Sequence, residues 1–272
     1  PPLLGRMLLL DGTVALVAVL VALWRRRRDD EVLVQVLAAC LAVLAALAWV
    51  RVEASVVVPL LAGFVVLTIA AERVELARFH LPRTAGTTLL WLATGLALAA
   101  TWALVAPGPG SRAFGVALLA LVAWLAPRDV ARRTVRSTGL PRFSAVAMLA
   151  GYGWLTVAGV AWAVTGVPTT RAAHDLLVHT VFLGFAMSMV LAHAPVILPS
   201  VLRRPLPYRR VLWAPLVVLH AGLAVRVCGD LVGQTRLAQA GGVLTTVALL
   251  LLPLTAAASV ALPVRHPRSV PA

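Results

Sequence analysis

Apolar stretches alternate with short polar segments along the whole chain. Nine of them approach or exceed the length, about 20 residues at 1.5 Å per residue, that an α-helix needs to cross the hydrocarbon core of a bilayer. They are Leu8–Trp24, Val32–Val50, Ala54–Ala71, Thr87–Ala106, Ala113–Ala126, Ser144–Gly166, His174–Pro199, Val211–Cys228 and Ala238–Leu262. The pattern predicts an all-α fold, a polytopic transmembrane helix bundle of about nine spans that forms a single integral membrane domain over residues 1–272.

The arginines predict the orientation of these spans. With the N-terminus outside, 18 of the 24 basic residues fall at the inner ends of the helices. They are Arg25, Arg26, Arg27, Arg28, Arg73, Arg78, Arg83, Arg128, Arg132, Arg133, Arg136, Arg142, Arg203, Arg204, Arg209, Arg210, Arg265 and Arg268. Loss of the short fifth stretch would reverse every later helix. The positive-inside rule therefore predicts nine spans with the N-terminus out and the C-terminus in, and Pro107–Gly110 reads as a turn before the fifth span.

Composition supports a membrane protein and excludes a nucleic-acid-binding protein. Hydrophobic residues make up 61% of the chain, the mean hydropathy is +0.95, and only 12% of the residues are charged, whereas soluble domains contain about a quarter charged residues. The formal charge of +14 comes from arginine clusters between apolar stretches and not from one basic face. We therefore expect a lipid bilayer as the main partner, the cytoplasmic (inner) membrane of a bacterium as the location, and no nucleic acid.

Three histidines within the apolar stretches are candidate ligands for a metal or a haem. His179 and His193 lie fourteen residues apart, which on a regular α-helix places them about 40° apart around the axis and about 21 Å apart along it. His193 and His220 are equally distant from the centre of the connection between their helices, so we expect them to form one site and His179 to belong to another. Pro195 and Pro199 predict a kink beside His193. The alternative is that the histidines only form hydrogen bonds with neighbouring helices.

A group of charged residues is predicted near the outer ends of the helices. Arg226 and Asp230 lie one turn apart and are expected to pair with each other. Asp175 precedes His179 by one turn, where a carboxylate can orient the imidazole. Asp11 lies near the outer end of the first span. Because ionisable groups within a bilayer are costly, the group is either a set of satisfied interfacial pairs or the entrance for a proton or a substrate.

A second charged group is predicted at the inner end of the third span, where Glu72, Arg73, Glu75 and Arg78 follow one another. Glu75 and Arg78 have the spacing of a pair on one helix face. The sequence favours a structural ion-pair cluster here, and the alternative is a proton relay through Glu72.

Several segments between about positions 150 and 232 share residues with a known family. They are Gly151-Tyr152-Gly153-Trp154-Leu155, His174, His179, Gly184, Met187, Met189, Arg204-Pro205-Leu206 and Leu223-Ala224-Val225-Arg226-Val227. The chain resembles the NnrS family of haem- and copper-containing membrane proteins linked to nitric oxide. The family's Gly-His-Thr-Gly-Arg-Pro segment is split here into Ala192–Pro195 and Arg203–Leu206, and family members have more spans. The resemblance implies haem b and/or copper, with His179 and His193 in family-like positions.

Three functions remain open from the sequence. The first is a haem- or copper-binding protein in nitric oxide or respiratory redox chemistry, with a redox partner. The second is a cofactor-free proton-coupled transporter, and the third is a structural membrane subunit of a respiratory complex with partner subunits. The sequence has neither a nucleophile–base triad nor a phosphate-binding loop, so it leaves open whether the protein is an enzyme.

Overall fold

The computed structural model describes residues 2–203 and 207–261. Its α-helices are α1 (Pro2–Arg27), α2 (Asp30–Ala48), α3 (Val58–Ala77), α4 (Ala85–Val105), α5 (Pro107–Leu125), α6 (Ala131–Thr134), α7 (Gly139–Thr165), α8 (Arg171–His179), α9 (Met187–Leu202), α10 (Trp213–Leu231) and α11 (Thr235–Ala261). A π-helical segment, Thr180–Ala186, joins α8 to α9. Short 3₁₀ turns, Ala54–Val57 and Arg210–Leu212, lead into α3 and α10.

The described part of the chain contains nine helical segments that are long and apolar enough to cross a membrane. The segment from α8 through α9 counts as one of them, and α6 is too short to count. The predicted all-α polytopic bundle is therefore confirmed. Which end of each helix lies inside stays a prediction, and three of the arginines used for it, Arg204, Arg265 and Arg268, lie outside the described residues.

The short connections make consecutive spans antiparallel, so alternate connections lie at the same end of the bundle. We call the end with the connections α1–α2, α3–α4, α5–α7 and α9–α10 the Arg-rich side, and the other end the opposite side. α2, α3, α4, α5 and α7 pack against one another, and the seventh span packs on α7. α1 packs mainly on α2, and α11 on α10, at the edges of the bundle.

The fifth span is longer than the sequence predicted, because the expected turn is helical. α5 begins at Pro107, directly after α4, and contains the Pro107–Gly110 segment as its first turn. Proline is tolerated in a first turn, where its missing N–H would have no partner within the helix. A Cβ atom at Gly110 would collide with the backbone of Ala103, so this glycine permits the close approach of α4 and α5.

The irregular part of the seventh span lies before the prolines. Pro195 and Pro199 are both inside α9, whereas the change in hydrogen bonding occurs at Thr180–Ala186, between the two histidines. The predicted angular relation of His179 and His193 assumed 100° per residue, and a π-helical segment has a smaller rotation per residue because its hydrogen bonds span five residues. The predicted separation of about 40° around the axis therefore does not hold for this helix, because Thr180–Ala186 is not regular α-helix.

Candidate functional site

Polar side chains inside the bundle form three contact groups at different depths. One group lies near the Arg-rich side around Asp129, one lies in the middle around His220, and one lies near the opposite side around Asp175. Each group joins at least two helices or connections that are far apart in sequence.

The group at the Arg-rich side is centred on a buried ion pair. The guanidinium of Arg73, at the end of α3, donates two hydrogen bonds to the Asp129 carboxylate, of 2.9 Å and 2.8 Å. The Tyr152 hydroxyl donates to the same carboxylate at 2.7 Å, and the backbone N–H of Ala131 donates at 2.8 Å. The Asp129 side chain is only 1% exposed and that of Arg73 9%. The carboxylate is thus compensated by four donors, as a buried charge requires.

The same contacts determine the protonation of Asp129, which lies in the connection between two spans. Burial raises the pKa of its carboxyl, whereas the hydrogen bonds and the positive charge of Arg73 lower it, with smaller contributions from Ala131 and Tyr152. The net pKa lies below the ordinary value of 3.8. Asp129 is therefore an anion at neutral pH.

His193 belongs to the same group and has no nitrogen available for a metal. Arg73 donates to His193 Nε2 at 3.0 Å, and because an arginine can only donate, Nε2 must accept. His193 Nδ1 then carries the proton and donates to the Met189 carbonyl oxygen at 2.7 Å. The contacts fix one neutral tautomer.

His220 lies in the middle of the bundle and contacts a different helix. The indole N–H of Trp154, on α7, donates to His220 Nδ1 at 2.9 Å. The neutral ring therefore carries its proton on Nε2, which is buried and has no hydrogen-bond partner among the described residues. Since His193 contacts Arg73 of α3 and His220 contacts Trp154 of α7, the predicted shared site of these two histidines is wrong.

Trp154 is held in place by the π-helical segment. A Cβ atom at Gly184 would lie 2.5 Å from Trp154 Cβ and 3.1 Å from the Leu223 side chain, so the indole packs directly on the glycine backbone. π-helical segments are frequent at functional sites. Here the segment positions the Trp154 indole, whose N–H donates to His220.

The group at the opposite side is a second ion pair. Arg226, on α10, donates to both carboxylate oxygens of Asp175, on α8, at 2.6 Å and 2.8 Å. The expected Arg226–Asp230 pair is therefore wrong, because the Arg226 guanidinium is directed to α8. The Nδ1 atom of His179 lies 2.8 Å from the carbonyl oxygen of Asp175 and 3.3 Å from its carboxylate. Asp175 thus orients the imidazole, and its carboxylate joins His179 to Arg226.

Asp175 and Arg226 line a large cavity between α8, α10 and α11. The cavity has a volume of about 820 Å³ and opens at the opposite side of the bundle. Its charged lining residues are Arg171, Asp175, Arg226 and Asp230. One carboxylate oxygen of Asp230 is buried without a hydrogen-bond partner in the described part of the chain. The cavity therefore combines charges of both signs, on two membrane-spanning segments, with access from outside the bundle.

The four charged residues near the end of α3 do not bind one another as predicted. They are Glu72, Arg73, Glu75 and Arg78. Glu75 pairs with Arg27 of α1 at 3.2 Å and not with Arg78, whose guanidinium lies over the Phe79 ring. Arg73 turns into the bundle towards Asp129, and Glu72 on the neighbouring position is exposed. The expected four-residue cluster is wrong because successive helical residues point to different sides.

Asp11 lies apart from all three groups. It is exposed on α1, a helix whose apolar window is not buried within the bundle. The prediction that grouped it with the residues at the outer ends of the helices is not supported by any contact of its side chain in the described residues.

Sequence analysis did not identify three of the participating side chains. Asp129 is the only acidic residue in an arginine-rich connection, which could have marked it as the partner of a buried arginine. Tyr152 and Trp154 were noted only as part of a family resemblance, although polar aromatic side chains in a span require hydrogen-bond partners.

The described residues contain no group of three or more His, Cys, Asp or Glu side chains that could hold a metal ion. His193 does not fit a ligand role, since both of its ring nitrogens are engaged, and His220 does not, since its open nitrogen carries the proton. His179 fits, because its Nδ1 faces only acceptors, which leaves Nε2 as the coordinating atom.

Comparisons with known proteins add a family. A family model described as "Domain of unknown function (DUF8744)" matches residues 1–261. No curated protein and no solved structure is significantly similar to the chain.

Proposed function

The chain belongs to the DUF8744 family, and we propose that it is a proton-coupled transporter of a small anion. The observation that carries the proposal is the Asp175–Arg226 ion pair, which joins two membrane-spanning segments and lines a cavity of about 820 Å³ near their ends. Ionisable residues within spans are costly to keep in a bilayer, and they often mark substrate pathways and proton relays. A purely structural pair would not need an open cavity.

The contacts support a mechanism in which Arg226 exchanges the Asp175 carboxylate for an incoming anion. An anion that enters the cavity can bind Arg226 and Arg171, and Arg226 then releases the Asp175 carboxylate. The freed carboxylate, next to His179, takes up a proton, so one proton enters with one negative charge. Charge is balanced at each step, which keeps the cost of crossing the bilayer low.

The deeper groups support a path for the proton. His220 precedes Arg226 by six residues, about 9 Å along α10, and its Nε2–H has no acceptor among the described residues. A proton that arrives from the cavity side at Nδ1, in place of the hydrogen bond from Trp154, would let Nε2 release its own proton, so the ring passes one proton on and stays neutral. Beyond it lies His193, and a second proton on that ring would remove the hydrogen bond that it accepts from Arg73. Proton arrival there would loosen the link between α3 and α9.

The test is proton uptake by proteoliposomes that contain a trapped pH-sensitive dye. Nitrate, sulfate and succinate are added separately outside at constant pH, and wild-type protein is expected to acidify the lumen with at least one of them. Asp175→Asn and Arg226→Gln should each reduce the rate about tenfold, since one lost charged hydrogen bond of about 1.5–3 kcal/mol corresponds to at least that factor. Arg236→Gln is the matched control, because Arg236 is an exposed arginine at the same end that does not line the cavity.

Two outcomes would contradict the transporter proposal. One is that no anion drives proton movement by the wild-type protein. The other is that the control variant loses as much activity as the two cavity variants.

A second candidate function is favoured by the environment of His179. A metal-bound histidine usually donates its other ring N–H to a carbonyl or carboxylate, and the Nδ1 contacts of His179 to Asp175 have this form. The resemblance to the NnrS family supports a haem or copper there, which would supply redox chemistry linked to nitric oxide. Absorption spectra and metal analysis of the purified protein test this. A haem band or bound copper should disappear in His179→Ala and persist in His193→Ala, and a colourless, metal-free wild-type protein from haem- and copper-supplemented cells would contradict it.

We infer the location of the protein from its apolar helices and from the distribution of its arginines. The helical segments require a lipid bilayer, and the arginine distribution supports the cytoplasmic membrane of a bacterium with the Arg-rich side inward.

A further inference from the structure

A second cavity lies at the Arg-rich side, between the α3–α4 connection and the connection that contains α6. Its volume is about 650 Å³, which is in the range of pockets that bind small molecules. His80 lines it from one connection, and Arg128, Arg132, Arg133 and Arg136 line it from the other. Neither the proposed transport path nor the family resemblance uses these residues.

Among the described residues, the cavity has an excess of positive charge that no carboxylate neutralises. Its only acidic lining residue is Asp129, whose carboxylate is already bound by Arg73. Among the described residues no carboxylate forms an ion pair with Arg132, Arg133 or Arg136. Several guanidinium groups around one cavity repel one another, and an anion with several acceptor oxygens would relieve this repulsion.

The wall that carries these arginines is anchored to the bundle. Asp129 fixes its start through Arg73, Tyr152 and the N–H of Ala131. Arg128 is held by a 2.8 Å hydrogen bond to the Trp124 carbonyl and lies over the Trp124 ring. If these arginines served only to orient the protein in the membrane, the connection that carries them would not need a buried ion pair to fix it to the helices. The arginines are thus presented on a fixed frame.

We propose that this cavity binds a phosphate group. Guanidinium groups bind phosphate oxygens with two parallel hydrogen bonds, so arginine is favoured over lysine at such sites. The ligand is either the headgroup of an anionic phospholipid, since Trp124 is of the type found at membrane interfaces, or a soluble phosphate compound. Both sources present the same chemistry to the cavity.

The experiment compares two variants that lose the same charge on the same side of the bundle. Arg132→Gln/Arg133→Gln removes two cavity arginines, and Arg25→Gln/Arg26→Gln removes two exposed arginines of α1 that do not line the cavity. Full-length protein in detergent is titrated with cardiolipin, with zwitterionic phosphatidylcholine and with inorganic pyrophosphate. Lipid binding is measured by native mass spectrometry, and pyrophosphate binding by the shift in melting temperature.

We expect at least one of the two phosphate probes to bind the wild-type protein and the α1 variant equally. The cavity variant should bind it about tenfold more weakly or worse, because charged hydrogen bonds are lost. Binding of cardiolipin but not pyrophosphate identifies a lipid headgroup, and binding of pyrophosphate identifies a soluble phosphate compound.

The proposal is overturned if neither probe binds, if phosphatidylcholine binds as well as cardiolipin while pyrophosphate does not bind, or if both double variants lose affinity equally. Should the cavity double variant prove unstable without ligand, Arg136→Gln gives the same comparison against Arg25→Gln.

Discussion

At the scale of single residues, the main determinant of the candidate site is which carboxylate each arginine within the bundle binds. Arg73 and Arg226 each bind a carboxylate from a distant part of the chain, and neither binds the acidic residue nearest to it on its own helix. The cause is burial, which is nearly complete for Arg73 and partial for Arg226. A guanidinium removed from water needs hydrogen bonds where it lies, and neighbouring residues on its helix face elsewhere. Because each arginine binds one carboxylate through two hydrogen bonds, substitution of that single carboxylate should have a measurable effect.

Removal of the Asp129 charge should strongly destabilise the protein. Asp129→Asn leaves the Arg73 guanidinium buried beside a neutral amide, and breaking one side of a buried pair costs about 3–5 kcal/mol. Melting curves in detergent measure the effect. Glu53→Gln is the control, because this exposed carboxylate accepts only a long hydrogen bond, from Ser55, and the change should cost less than about 1 kcal/mol. Equal melting temperatures of wild type and Asp129→Asn would contradict the assignment.

The same residue predicts a pH dependence of stability. Because the pKa of Asp129 is lowered in the folded protein, its stabilising contribution is complete above the unfolded pKa, near 4, and is lost as the pH falls through the lower folded pKa. The difference in melting temperature between wild type and Asp129→Asn should therefore be constant above about pH 5 and shrink below pH 4. A difference that does not change with pH would mean that Asp129 is not the ionised partner of Arg73.

Some of these residues were predicted from the sequence, but their partners were not. It identified the intramembrane histidines and the charges on the seventh and eighth spans, since a charge within an apolar stretch is visible from hydropathy alone. It could not assign partners, because these come from packing between distant helices. Asp129 was not predicted as a buried partner because it lies in a connection between spans, most of which is exposed or half-buried.

At the scale of helices, hydropathy predicted all nine spans, but not their ends or irregularities. The start of α5 was misread because a Pro-Gly segment usually forms a turn in water, whereas close packing on α4 favours helix there. The π-helical segment leaves no hydropathy signal, because its residues, Thr180–Ala186, are as apolar as the membrane-spanning segment that contains them.

A glycine contact between α5 and α7 should be sensitive to a single methyl group. A Cβ atom at Gly115 would collide with the backbone of Ala163 and lie 2.6 Å from the Gly159 carbonyl oxygen. Gly115→Ala must therefore separate the two helices, at a cost of about 1–3 kcal/mol. Gly95→Ala on α4 is the control, since no atom lies within 4 Å of its added Cβ, and it should leave the melting temperature unchanged or slightly raised. A Gly115→Ala protein as stable as Gly95→Ala would show that the helices are not in this close contact.

At the scale of the whole molecule, the two ends of the bundle differ in charge and in cavity type. The Arg-rich side carries a basic cavity above a buried ion pair, whereas the cavity on the opposite side contains both charge signs. The asymmetry is consistent with one inserted orientation, because arginine-rich connections are retained on the cytoplasmic side of bacterial membranes. Proposed anion entry at the opposite side and phosphate binding at the Arg-rich side both depend on this orientation.

The orientation can be measured by cysteine labelling at the two ends of α7. Thr138 and Thr169 are exposed residues of the connections before and after this helix. Each is changed to Cys in a chain whose Cys40 and Cys228 are replaced by Ala, and intact cells are treated with a membrane-impermeant maleimide. Because the Arg-rich connections are expected inside, Thr169→Cys should be labelled directly and Thr138→Cys only after the membrane is permeabilised. The parent chain without cysteine controls for background. The reverse labelling pattern would invert the molecule and place the mixed-charge cavity in the cytoplasm, whereas labelling of both sites in intact cells would mean that α7 does not cross the membrane.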